Sequence, residues 1–108
     1  MQAQEISRPL FRSATSVGAN IAERQTRHQG IEYVHDLIIA QGSANETEHW
    51  LHTAKDCGLG LNDRMDEALR LNDEVARMVT TTINTIREKQ ITEENANYLV
   101  DSDTINDN

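Results

Sequence analysis

Apolar residues recur along most of this chain at the spacing of helix faces. Ile6, Leu10, Ala14, Val17 and Ile21 step by four, four, three and four residues, which predicts one face of a first helix. Ser7 is placed to cap that helix, Pro9 falls in its first turn, and Gly30 marks where it stops. Gly18 lies inside the same pattern and predicts a bend or a close helix crossing. Tyr33, Leu37, Ala40, Ala44, Thr47, Leu51 and Ala54 follow a strict four-three alternation, the seam of a helix packed nearly antiparallel in a bundle. Its centre is small, because Ala40 and Ala44 let a neighbouring backbone approach. A second stripe through Ile39, Ser43, Glu46, Trp50 and Cys57 gives this helix another contacting face. The helix is expected to run from about Ile31 to Cys57, with Gly58 as a left-handed cap.

A third helix is predicted from Asn62 or Asp63 to Lys89. Met65, Ala68, Asn72, Val75, Val79, Thr82 and Ile86 form its seam, broadened by Leu69, Ala76 and Ile83. Acids open it and bases close it, as the helix dipole favours. Residues 1–91 therefore read as one helical bundle domain, and residues 92–108 as a polar, acidic, disordered tail in which Tyr98, Leu99 and Val100 are the candidates for local docking. The predicted fold class is all-α, an antiparallel up-and-down bundle with three long helices.

Composition narrows the function. The chain has 108 residues, enough for one domain with a modest core. Aromatic residues make up 4% of it, so the core falls to Leu, Ile, Val, Met and Ala. The single cysteine forms no internal disulfide, and no charged stretch followed by a long apolar run marks a signal peptide or membrane span, so a cytoplasmic location is expected. Net charge is −8, unevenly spread. Residues 1–30 carry Arg8, Arg12, Arg24 and Arg27 against Glu5 and Glu23, while residues 92–108 carry five acids and no base. An acidic body disfavours indiscriminate binding to phosphate backbones, though an arginine-bearing first helix keeps a local contact open.

Two stretches carry a resemblance. Leu10–Glu23 (LFRSATSVGANIAE) and Tyr33–Leu51 (YVHDLIIAQGSANETEHWL) together resemble the four helix bundle protein family, also called 23S rRNA intervening-sequence proteins. The resemblance covers about residues 6–89 and implies an antiparallel bundle, a homopentameric ring and no assigned chemistry. The family's usual first helix would lie ahead of Ile6, where this sequence has five residues. Three alternatives follow: a late start of the sequence, a natural three-helix variant, or a tail or neighbouring subunit that covers the face this helix would occupy. A distant branch of the class is similar to the accessory proteins of diversity-generating retroelements, which implies contact with nucleic acid.

Candidate chemistry is sparse. Glu32 with His35 and Glu46 with His49 have the Glu-x-x-His spacing of ferritin-like metal sites, but both pairs lie on one helix, about 21 Å apart, rather than facing each other. His49 and His52, with Glu48, lack a further ligand for a designed zinc site. Cys57 sits at a helix C-terminus, where the dipole opposes a thiolate, and reads as a buried structural thiol. No catalytic residue, metal site or cofactor is expected. Arg12, Ser13, Asn20, Asn45 and Glu46 fall among apolar neighbours; Arg12, Asn20, Asn45 and Glu46 form the expected structural polar network, with Arg12 or Asn20 bonded to Glu46. Trp50 is the candidate subunit-interface anchor. The expected function is a non-enzymatic, self-assembling adaptor module with no membrane partner. The alternative is a nucleic-acid-associated accessory protein that uses Arg12, Arg24 and Arg27 on an oligomeric ring.

Overall fold

The computed structural model describes residues 3–26 and 31–106. Three helices, α1 (Gln4–Thr26), α2 (Ile31–Asp56) and α3 (Asn62–Asn106), account for nearly all of them, and no strand occurs among the described residues. The fold class is all-α, as the periodicity predicts. Hydrogen-bond partners set the directions. Ser13 pairs with Thr47 and Ser16 with Ser43, so residue numbers rise on α1 as they fall on α2. Gln41 pairs with Thr80 and Lys55 with Asp66, and α3 is likewise antiparallel to α2.

α2 is the central element. It packs against both neighbours, whereas α1 and α3 do not approach each other along the backbone among the described residues. Every member of its predicted seam faces inward: Leu37, Ala40, Ala44, Thr47, Leu51 and Ala54 are buried and Tyr33 is half-buried. Leu37 and Ala40 form a core cluster with Val79 and Ile83 of α3, against which Ile21, Tyr33, Val34, Val75 and Ile86 pack. The two alanines have a visible consequence. With no longer side chain in the way, Asn72 reaches the Ala44 carbonyl and donates its amide Nδ2 to it at 2.9 Å. The third seam is equally legible, since all ten of its predicted residues are buried or half-buried.

α2 ends by a Schellman motif. Gly58 adopts φ of 73°, its N–H donates to the Lys55 carbonyl at 3.0 Å, and the Leu59 N–H donates to the Ala54 carbonyl at 2.9 Å. Both bonds satisfy carbonyls that a helix end otherwise leaves open. Gly60 also has φ of 73°, so the short turn to α3 rests on two left-handed glycines.

Several boundaries differ from the sequence reading. α1 starts at Gln4, because the Ala3 carbonyl accepts the Ile6 and Ser7 N–H groups at 3.1 and 2.8 Å; Ser7 lies inside the helix and Pro9 in its second turn. Ser13 rather than Ala14 is buried on its inner face. Gly18 is exposed, and a Cβ added there would meet nothing within 4 Å, so among the described residues no helix crosses closely at that point. α3 continues to Asn106 instead of stopping near Lys89. Neither Gly nor Pro occurs between Leu61 and Asn106, so no residue interrupts it. The described chain is consequently elongated, 73 × 21 × 20 Å, and the length is that of α3, about 67 Å at 1.5 Å per residue.

Candidate functional site

Three polar side chains are buried among the described residues, the Asp36 carboxylate and the Ser13 and Thr47 hydroxyls, and the two hydroxyls meet at the α1–α2 interface. Ser13 and Thr47 are both buried, with Thr47 Oγ1 at 3.0 Å from Ser13 Oγ. Thr47 Oγ1 is also 2.8 Å from the Ser43 carbonyl, and Ser13 Oγ is 3.1 Å from the Leu10 carbonyl. Each hydroxyl has one proton, so two arrangements complete the set. Either Thr47 donates to Ser13 and Ser13 to Leu10, or Ser13 donates to Thr47 and Thr47 to Ser43. One turn along, Ser16 and Ser43 hydroxyls pair at 2.8 Å, and Asn20 Nδ2 donates to the Ser16 carbonyl at 2.8 Å and lies 3.2 Å from its hydroxyl. These short side chains let α1 sit close to α2, and the two buried hydroxyls, Ser13 and Thr47, each have an acceptor.

This seam replaces the expected one. Asn20 belongs to it, but Arg12, Asn45 and Glu46 are exposed, and neither Arg12 nor Asn20 reaches Glu46. Ser13, Ser16, Ser43 and Thr47 were the signal: small hydroxyl residues at facing turns of two helices. Trp50 is half-buried on α2, edge-on to the His49 ring with centroids 4.9 Å apart and planes at 73°. Arg24 falls in the last turns of α1, with its side chain, like all of Arg27, outside the described residues.

The metal and thiol candidates are dispersed. His35, Glu46 and His49 are exposed along α2, and the Glu32 side chain lies outside the described residues. Among the described residues no group of three His, Cys, Asp or Glu side chains is placed to hold a metal ion. His52 Nε2 lies 3.7 Å from Glu48 Oε1 one turn earlier, both well exposed. Cys57 is exposed, contrary to the buried thiol expected, because it occupies the helix-cap position just before the Gly58 turn.

Surface charge is organised along α3. Arg70 bonds Glu67 and Glu74 at 2.6 and 2.9 Å, and Arg77 bonds Asp73 at 2.9 Å. Hydrogen bonding to Arg70, and then its charge, holds the Glu67 carboxyl below its ordinary 4.5, and the same pair raises Arg70. Lys55 donates to Asp66 at 2.6 Å, joining the end of α2 to the start of α3; that hydrogen bond, then the charge, raises the ammonium above 10.5.

The remaining candidate site is an exposed surface. Ser7, Arg8, Phe11, Arg12 and Thr15 line an open depression on the outward face of α1. Phe11 is 72% exposed there, and neither Arg8 nor Arg12 has a carboxylate partner among the described residues. Leu71 and Met78, seven residues apart on α3, are exposed too, and beyond Gln90 every residue from Ile91 to Leu99 is exposed. No helix among the described residues is long and apolar enough to cross a membrane. The arrangement offers contact surfaces, with a basic aromatic patch at one place and an apolar, acidic helix at another.

Similar proteins agree with the architecture. The chain is similar to a protein of unknown function from the S23 ribosomal protein family of Bacteroides thetaiotaomicron, with 28% identity, 72% of each chain covered and a TM-score of 0.69. No curated protein matches it. Residues 2–81 match the family model of the 23S rRNA-intervening sequence protein, and with the buried α2 seam and the helical fold this shows that the chain belongs to that family.

Proposed function

We propose that this protein is a non-enzymatic, cytoplasmic helical module that self-associates and serves in assembly or as an adaptor. The observation that carries the reading is the mismatch between a small core and a large exposed apolar surface. Among the described residues, Ile6 and Leu37 are the only large side chains buried almost completely, whereas Phe11, Met78, Ile91, Tyr98 and Leu99 are each more than half exposed. With α1 and α3 both against α2 and apart from each other, one side of the bundle stays open. Apolar surface of this kind on a small domain marks a contact site for another chain. The polar residues inside the bundle support a scaffold role as well, since the buried hydroxyls are all engaged in holding α1 to α2.

A nucleic-acid-associated accessory role is the second reading, favoured by Arg8 and Arg12 beside Phe11, neither arginine having a carboxylate partner among the described residues. The two separate in one experiment. Light-scattering mass across a size-exclusion peak, with absorbance at 260 and 280 nm, is expected to give several protomers with a protein-only spectrum. A peak rich in 260 nm absorbance that loses mass steeply with added salt identifies the second reading instead. A lone protomer at every concentration overturns self-association.

A further inference from the structure

We propose that the exposed α3 extension, Ile91–Leu99, docks on the Arg8–Phe11–Arg12 patch of α1 in a second copy of this chain. The inference rests on the self-association reading and names its contact.

Sequence position sets the two surfaces. On α1, Arg8, Phe11, Arg12 and Thr15 stand at i, i+3, i+4 and i+7, so they share one helix face. On α3, Ile91, Glu94, Asn95 and Tyr98 have the same spacing. One surface is an aromatic ring flanked by two guanidinium groups; the other is an acid between two apolar side chains. Ile91 and Tyr98 are about 10.5 Å apart along the helix, which leaves room for the Phe11 ring between them and brings Glu94 to the arginines. All of these residues from Ile91 to Tyr98 are exposed, as are Arg8, Phe11 and Arg12.

Charge picks the partner. Residues 92–108 carry five acids and no base, while residues 1–30 are net basic, so the two ends of the sequence attract each other across molecules. Glu94, like Arg8 and Arg12, has no ion-pair partner among the described residues, in contrast to Arg70 and Arg77. The chain cannot close this contact on itself. Thr47 places the α1 patch beside the C-terminal half of α2, whereas the extension begins at Gln90, beside Val34, His35 and Ile38 at the opposite end of α2. A straight helix leads further away from there. A second copy lying antiparallel beside the first satisfies both patches at once, and a head-to-tail arrangement satisfies them around a ring.

The test is charge reversal read by light-scattering mass, with melting followed by circular dichroism to verify the fold. Arg8→Glu/Arg12→Glu and Glu94→Arg change exposed side chains and are expected to leave melting unchanged. Each is expected to weaken association by at least about tenfold, as opposed charges become like charges. Mixing the two variants, or combining all three substitutions in one chain, is expected to restore the wild-type mass. If the wild type is itself a lone protomer, the self-association reading fails. If the wild type is oligomeric and the reversals leave its mass unchanged, that reading stands and the α3-on-α1 contact fails. Loss of mass without restoration overturns the pairing, and so does a 260 nm-rich peak that disappears with Arg8→Glu/Arg12→Glu, which assigns the patch to nucleic acid.

Discussion

At the scale of single residues, what separates the buried polar seam from the expected one is helix phase. Taking Ile6 as reference and about 100° per residue, Ser13 lies about 20° away and Ala14 about 80°. Hydropathy alone prefers the alanine, because a methyl group scores as apolar and a hydroxymethyl as polar. The structure buries Ser13, since Thr47 supplies what its hydroxyl requires. Facing serines and threonines were visible in the sequence, but their pairing needs the register of two helices, which one-helix periodicity does not contain. Thr47→Val keeps the shape and removes the hydroxyl, leaving the Ser13 side of the seam short of a partner. It is expected to cost about 1–2 kcal/mol in denaturant unfolding. Adding Ser13→Ala is expected to cost less than the sum of the two single changes, because the second removes a hydroxyl that has already lost its cross-helix partner and bonds only the Leu10 carbonyl of its own helix. Glu46→Ala, by contrast, alters an exposed residue and is expected to stay within about 0.5 kcal/mol of wild type. A large loss there would mean that Glu46 has a buried partner in the assembly.

At the scale of elements, the seams of α2 and α3 were legible because both helices are long and their inward residues repeat on a four-three step. Small residues carry the centre of α2, and the packing leaves them no room: Ala40 and Ala44 have no measurable exposure. Ala44→Leu is therefore expected to destabilise by about 1–3 kcal/mol and to displace Asn72 from the Ala44 carbonyl, read by melting and by the Asn72 side-chain amide resonances. Gly58 was readable as a cap for a similar reason, since only a residue tolerant of positive φ completes the Schellman bonds. Gly58→Ala has space for the methyl group but retains the left-handed backbone, so it is expected to cost about 1–2 kcal/mol. Near the start of α3, the Glu67 carboxyl held low by Arg70 gives an acid-side dependence. Its stabilising contribution is complete above the ordinary value of 4.5 and is lost as pH falls through the lowered one. Glu67→Gln is expected to flatten that part of the acid-melting profile. The far end of α3 was misread because a run of acids and amides resembles a disordered tail, while the absence of Gly and Pro leaves the helix uninterrupted to Asn106.

At the scale of the whole molecule, the length of α3 divides the chain into two regimes of stability. From Asn62 to about Gln90 the helix is held by α2, through Val79, Ile83 and Asn72. Beyond that point no residue from Ile91 to Leu99 is buried, and an unsupported helical segment this short is marginal in water. Local opening there needs no loss of tertiary packing, whereas opening α2 around Leu37 and Ala40 disrupts both of its interfaces. Amide hydrogen exchange is therefore expected to be slowest in α2 and close to that of a free helix in residues 91–99 of a dilute sample. Concentration is the informative variable. If a second copy covers the extension, protection of residues 91–99 rises as the protein is concentrated, and Ser7–Thr15 at the Phe11 patch become protected in step. The centre of α2 stays unchanged, because its protection is set within one chain. Uniformly fast exchange of residues 91–99 in a sample that light scattering shows to be oligomeric would place the subunit contact elsewhere, with the exposed Leu71 and Met78 of α3 as the surface to examine next.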